Sequence, residues 1–458
     1  MPTSEFERLP TELQLMVMGH LKDPRTLYSM ARVNTAWSSY AVSQLWVCPP
    51  SRALKVLATL RPKPRRQFLA NKVHRLSLSN SDFAFEGLQF SSLNSLSFGQ
   101  SAGAKHFDHN SFIQPSLRSL SYYGEKTFTA DSINLVRQRC SDLRSLTVYD
   151  TSRFDSGLFV GLLQTQRLLK ALSLGYRIDH RTVEAVLALL AGPMSRKLEE
   201  LAIRSSLEDI DSSFLSRFFH SARALRKLEL GDLPSNEDEL LAILFNLGTL
   251  HDLELGHHIS LEHVSLYLQH HPDSKPFSNV HTLSLQSNAQ AVVILLSSRA
   301  ITTLMLEIQH PEASFYTAIG SMVQLEALDI MLPTNEVVDQ RDLEKLGTLL
   351  NLRRLNLSKS DTGDVLEDML QLPWMTDELF DKFFASFPLL EQLYLDWDVS
   401  SQLSELSIDA LARHCPSLER TMLMWQHDLD SWHKLNKPLF QKLKSLSLGS
   451  IRDFAGSR

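Results

Sequence analysis

Along most of the chain the apolar residues occupy positions one, four and six of a short frame, with polar or small residues between them. The frame reads Leu225-Arg-Lys-Leu228-Glu-Leu230-Gly231. It returns as Val73-His-Arg-Leu76-Ser-Leu78, Leu143-Arg-Ser-Leu146-Thr-Val148, Leu352-Arg-Arg-Leu355-Asn-Leu357 and Leu443-Lys-Ser-Leu446-Ser-Leu448. Alternation at positions four and six predicts a short half-buried strand, with positions three, five and seven on the opposite face. Copies begin at Val73, Leu93, Leu117, Leu143, Leu169, Leu198, Leu225, Leu250, Val280, Ile301, Leu325, Leu352, Leu390, Leu418 and Leu443. Helical patterns lie between them, such as Val183, Val186 and Leu190, or Leu379, Phe383 and Phe384. About fifteen strand-plus-helix units, at intervals of roughly 20 to 38 residues, predict an array in which each unit covers its neighbour's wet apolar face.

A strand and a helix in every unit resembles the leucine-rich repeat. The implied fold class is an α/β solenoid over residues 73–450, with a concave parallel β-sheet and convex helices, followed by a tail at 451–458. Fifteen strands about 4.8 Å apart would span on the order of 70 Å along the sheet. The array departs from the familiar pattern at position nine, where only Asn288 supplies the asparagine of that repeat type; irregular turns and uneven curvature are therefore expected. Thr421 replaces the leucine at position four of its copy, which predicts a weakened strand. Cys140 and Cys415 stand just before strands and are similar to the cysteines of repeats found in F-box proteins; buried packing is the expected role.

Residues 5–48 carry a different pattern, that of three short amphipathic helices. Pro10 suits a first helical position, and Leu13, Val17 and Leu21 follow on one face. Asp23-Pro24 marks a second start, and Asn34 or Thr35 can cap a third helix bearing Trp37, Ala41, Leu45 and Trp46. So small a module cannot bury all its apolar surface alone. The order Leu9-Pro10-Thr-Glu12-Leu13, then Val17, Leu21, Leu27, Val33, Trp37 and Leu45-Trp46, resembles an F-box over roughly residues 5–50. The resemblance implies docking on the Skp-type adaptor of an SCF-type cullin–RING ubiquitin ligase through Leu9, Pro10, Leu13, Val17, Leu21 and Leu27, with Trp37 and Trp46 holding the module together. A helical cap closing the solenoid's end is the alternative. Residues 51–72, with Arg61-Pro-Lys-Pro-Arg-Arg66, read as a proline-broken basic linker into the array, or as a nuclear import signal.

The net charge of −6 is uneven: residues 1–72 carry 11 basic and 4 acidic side chains, near +7, and the remainder is near −13. No broad basic surface suggests nucleic acid. The longest apolar run, Ala291–Leu296, is too short to cross a membrane, and the first residues lack a secretory signal. Three scattered cysteines suggest a reducing compartment, hence a cytoplasmic or nuclear location. No phosphate loop, metal-ligand spacing or nucleophile triad stands out, so no cofactor, no metal and no enzymatic activity are expected.

Positions three, five and seven change character along the array. Early copies offer Ser77, Ser79, Ser95, Ser97, Ser119, Ser121, Ser145 and Ser173, a small-residue face with little to grip. Middle copies are acidic, with Glu229, Asp252, Glu254, Glu307 and Asp329. Late copies add arginine, aromatic and methionine side chains of the kind enriched at binding hot spots. The partner-binding set expected there is Arg354, Tyr394, Asp396, Trp397, Met424 and Trp425, with both tryptophans equally open to a place beneath loops. The surplus segment Asp361–Trp374 is either a clamp beside that set or padding. Together these readings describe a non-enzymatic substrate receptor, with an unknown protein substrate, no nucleic-acid partner and no membrane partner. Two alternatives stay open: an F-box scaffold without ubiquitin transfer, or a leucine-rich regulator with no ligase link.

Overall fold

The computed structural model describes residues 9–21, 23–79, 85, 87–99, 112–124, 128–149, 155–234, 238–296, 300–333, 336–360, 370–399, 403–425 and 440–449. The chain divides into two compact units, Met1–Leu189 and Leu190–Arg458. The first opens with five helices: α1 (Thr11–Gly19), α2 (Pro24–Met30), α3 (Thr35–Val47), α4 (Ser51–Thr59) and α5 (Lys63–Ala70). Five strands follow: β1 (Arg75–Ser79), β2 (Ser95–Gly99), β3 (Ser119–Tyr123), β4 (Ser145–Tyr149) and β5 (Ala171–Leu174). They pair in chain order, all parallel and without stagger.

The second unit continues the same repeat. Its strands are β6 (Glu200–Ile203), β7 (Lys227–Leu230), β8 (Asp252–Ile259), β9 (Thr282–Asn288), β10 (Thr303–Gln309), β11 (Ala327–Leu332) and β12 (Arg354–Lys359). After them come β13 (Leu370–Gln371), β14 (Gln392–Leu395), β15 (Trp397–Asp398), β16 (Arg420–Leu423) and β17 (Ser445–Leu448). Within this unit all except β13 and β15 form one parallel repeat sheet, in chain order; β13 pairs with β15 in a separate two-stranded ladder. The fold is the α/β leucine-rich solenoid that the frame predicts.

Each repeat strand starts two residues after the first leucine, valine or isoleucine of its frame, so the pairing register stacks like positions on like. Position four forms a column of leucines: Leu76, Leu96, Leu120, Leu146 and Leu172 in the first unit, then Leu201, Leu228, Leu253, Leu283, Leu304, Leu328, Leu355 and Leu393 in the second. Every one is buried. Each contributes about 1.5–3 kcal/mol of transfer free energy, and a one-residue slip would turn the whole column to water. Thr421 interrupts it: its hydroxyl is buried and has no hydrogen-bond partner among the described residues. At the last strand Leu446 is 40% exposed, because no described residue covers that end of the column. The tail expected at 451–458 lies outside the described residues.

Asn288 caps the helix Ala289–Leu295, its Oδ1 accepting from the Ala291 N–H at 2.9 Å. The register of β8 against β9 slips between Leu255 and His258. Gly231 answers to a close approach: a Cβ there would lie 2.7 Å from the Ser205 carbonyl oxygen. Cys140 and Cys415 are fully buried, and the Cys140 thiol donates to the Gln114 carbonyl of the preceding loop at 3.4 Å.

The stretch expected as a linker is folded. Pro50 precedes α4, while Pro62 and Pro64 occupy the N-cap and first turn of α5. A proline at the start of a helix removes only an N–H that has no intrahelical acceptor, so these residues begin helices rather than break one. Leu54, Leu57 and Ala70 are buried by this pair.

Candidate functional site

The N-terminal module packs around Met18, Leu27, Met30 and Ala41, with Leu21, Ala31, Trp37, Tyr40 and Leu45 against them. Its helix starts are local chemistry. Asp23 caps α2 by accepting from the Thr26 N–H and hydroxyl, both at 2.8 Å; those bonds hold its carboxyl below the usual range. Asn34 caps α3 through the Trp37 N–H at 2.9 Å. Pro10 has extended geometry and stands just outside α1, one residue earlier than its sequence position suggests.

This packing divides the six expected adaptor contacts. Leu9, Pro10, Leu13 and Val17 are exposed, as is Met16, which lies three residues after Leu13 on α1 and shares its face. Leu27 is a correction: it is buried in the module's own core and has no surface to offer a partner. Leu21 is half-buried and packs on that core. Its i+8 spacing from Leu13 does not carry the exposed strip past the end of α1 at Gly19. Tyr28 and Val33 are further exposed apolar side chains that the sequence reading did not place in the contact set.

On the repeat sheet, strand parity decides what is displayed. Positions three, five and seven face away from the core and four and six face into it; position eight is inward at Ser287, Ile308 and Leu332 but outward at Tyr176. The early copies display more than serine. Tyr123 and Tyr149, both at position seven, lie 5.4 Å apart between ring centroids, and Tyr176 continues the row 6.2 Å further on. Tyr123 and Tyr176 are exposed and Tyr149 is half-buried. The neighbouring Tyr122, at position six, is fully buried, so parity alone distinguishes the two tyrosines. Tyrosine ringed by serine and glycine is the composition of antibody paratopes: rigid aromatic area at low entropic cost beside adaptable hydrogen-bonding groups.

The acidic middle of the second unit is largely engaged within the protein. The Glu229 carboxylate is held by the Arg204 guanidinium, with Nη2 at 2.5 Å from Oε2. Burial pushes the Glu229 carboxyl up, the neighbouring Glu254 charge adds to this, and Arg204 opposes it. Asp329 accepts from the Asn356 amide at 2.7 Å, and Glu307 accepts from the Ser360 hydroxyl. Of the five carboxylates, Glu254 is the exposed one.

Parity separates five of the six late residues; Asp396, at position seven, is buried in spite of it. Arg354, Tyr394 and Met424, at positions three, five and seven, are partly exposed, and Tyr394 stands between Asn356 and Met422 in the ladder. Trp397 and Trp425 are corrections. Both fall at position eight, and their exposures of 1% and 4% place them in the core beside Phe380, at ring distances of 6.4 and 5.9 Å. Asp396 is corrected as well. It is buried, its backbone bonds both Leu357 and Leu370, and burial raises its carboxyl pKa while Lys359 counters. Of the surplus segment, residues 361–369 lie outside the described residues. Leu370–Gln371 forms β13, and the Trp374 indole donates to the Val338 carbonyl at 2.7 Å, so this end is fixed structure rather than padding.

Among the described residues, no cluster of three or more His, Cys, Asp or Glu side chains is arranged to hold a metal ion. No described helix is long and apolar enough to cross a membrane.

Residues 6–49 match the F-box-like family model. No curated protein matches the chain in sequence. Among solved structures, a chain of the yeast Rad7 and Elc1 complex is 14% identical, covering 98% of this chain and 97% of its own, with a TM-score of 0.43. A leucine-rich-repeat protein of Leptospira interrogans is 13% identical, covering 79% of this chain and 98% of its own, with a TM-score of 0.34.

Proposed function

We propose that this chain, an F-box-like domain joined to a leucine-rich-repeat array, is a protein-interaction adaptor that works as the substrate-recognition subunit of an SCF-type ubiquitin ligase. The observation that carries the reading is the strip Leu9, Leu13, Met16 and Val17, left in water by a module that has already closed its own core. Covering each such side chain contributes up to about 1.5–3 kcal/mol, and a Skp-type adaptor is the partner that an F-box-like domain fits. Through that adaptor the chain would reach the cullin scaffold.

The outward face of the repeats would hold the protein substrate. Two surfaces support this role: the row Tyr123, Tyr149 and Tyr176 in the first unit, and the group Arg354, Tyr394 and Met424 in the second. The contribution to catalysis is positional. A bound substrate has its lysines held at high effective concentration beside the ubiquitin thioester, with no reacting group and no cofactor supplied by this chain. A cytoplasmic or nuclear setting belongs to the same proposal.

The test is co-purification with degradation blocked, followed by the abundance of each captured partner when cullin activity is inhibited. A captured partner that accumulates under inhibition, and is ubiquitinated by the reconstituted complex, is the expected result. Unchanged abundance with adaptor binding intact would favour a scaffold without ubiquitin transfer. Absence of the adaptor would remove the ligase link.

A further inference from the structure

From Pro24 to Ser81 the chain holds ten lysines and arginines and no aspartate or glutamate. Seven of the ten fall in α4, α5 and their flanks. The two helices pack together, and their inward side chains are used up: Leu54, Leu57 and Ala70 are buried. What remains outward is Arg52, Lys55 and Val56 on α4, and Lys63, Arg65 and Phe68 on α5. Val56 is 56% and Phe68 49% exposed, with the Lys72 ammonium 5.4 Å from the Phe68 ring centroid. Among the described residues, Arg52, Lys55, Arg61, Lys63 and Arg65 make no ion pair. Lys63, Arg65 and Arg66 also crowd the first turn of α5, where the helix dipole is already positive.

We infer that the α4–α5 pair is a docking surface for an acidic polypeptide segment that also carries apolar side chains. Unneutralised cations around two exposed apolar residues form the pattern of an anchor with a charged rim, and an acidic partner relieves the repulsion while covering the anchor. A bilayer fits less well, because the apolar side of α4 is already spent on Leu54 and Leu57 and no inserting face is left. A nucleic-acid backbone would use the cations but leave Val56 and Phe68 in water. The inference does not depend on whether α1 docks a ligase adaptor.

The test uses the full chain and a fluorescent peptide rich in aspartate and glutamate that includes two leucines, with binding read by anisotropy. Saturable binding is expected, weakened about tenfold or more by the triple variant Lys55→Glu, Lys63→Glu, Arg65→Glu. Val56→Ser with Phe68→Ser should weaken it by about tenfold without changing the salt dependence. Reversal at Arg181→Glu with Arg223→Glu, and the α1 variant Leu13→Glu, should leave affinity unchanged. Circular dichroism confirms that each variant is folded. The proposal is overturned by no binding of the peptide, or by equal binding to the triple variant. Tighter binding of a DNA duplex or of phosphatidylserine vesicles through the same side chains would also overturn it.

Discussion

Trp397→Ala separates a core role from a partner-contact role for the most deeply placed of the expected hot-spot residues. The indole is 1% exposed and meets Phe380 edge-on, with Phe384 and Trp425 completing the aromatic cluster. A buried tryptophan removes on the order of 200 Å² from water, which at about 25 cal/mol per Å² is worth about 5 kcal/mol. Rigid rings around the vacated space collapse poorly, so the cost stays near the upper part of the usual range of about 3–5 kcal/mol. That is a large share of a typical stability of about 5–15 kcal/mol. Urea unfolding followed by far-ultraviolet circular dichroism measures it. Tyr394→Ala is the matched control: half-buried and outward, it should cost less than about 1 kcal/mol. If Trp397→Ala costs under about 1 kcal/mol, or Tyr394→Ala costs more than Trp397→Ala, the parity assignment of this surface is wrong.

Three further outcomes follow from individual side chains. Thr421→Val removes a buried hydroxyl that has no partner among the described residues, and should raise stability by about 1 kcal/mol in the same urea assay; a loss would mean that the hydroxyl is bonded. In the native protein a thiol reagent should titrate Cys48 alone, since burial pushes the Cys140 thiol up to about 11 and the Cys415 thiol up to about 12. All three should react in urea, and two reactive thiols in the native state would contradict the burial. Burial raises the Asp329 carboxyl while the Asn356 bond opposes it, so Asp329 favours the folded state at acid pH and penalises it as pH rises through the folded value. Asp329→Asn should therefore raise the thermal midpoint at neutral pH, with the gain shrinking below about pH 4; a gain independent of pH would contradict this.

The repeat strands were legible because leucines at positions four and six leave a half-buried strand as the one consistent arrangement. Like positions then pair in register, as Leu76 does with Leu96 and Leu355 with Leu393. The displayed surface was less legible where residue type outweighed parity. Trp397 and Trp425 resemble hot spots by type but sit at even positions, whereas Tyr123 and Tyr149 sit at odd positions inside a stretch dominated by serine. Extending the alternation two residues past β14 and β16 would have placed both tryptophans inward. The helices α4 and α5 were hidden by prolines, which begin a helix as readily as they end one. The burial of Leu27 depends on how α2 packs against Met18 and Ala41, a tertiary fact that helical spacing does not contain.

The central claim is that the strip on α1 docks an adaptor of the Skp type, and a calorimetric titration of that adaptor into the full chain tests it most directly. Wild type should bind at one to one. Leu13→Glu with Val17→Glu, both exposed and therefore neutral to folding, should weaken binding by about a hundredfold or more while leaving the urea midpoint unchanged. No binding by the folded wild-type chain, or equal affinity in the double variant, would contradict the account.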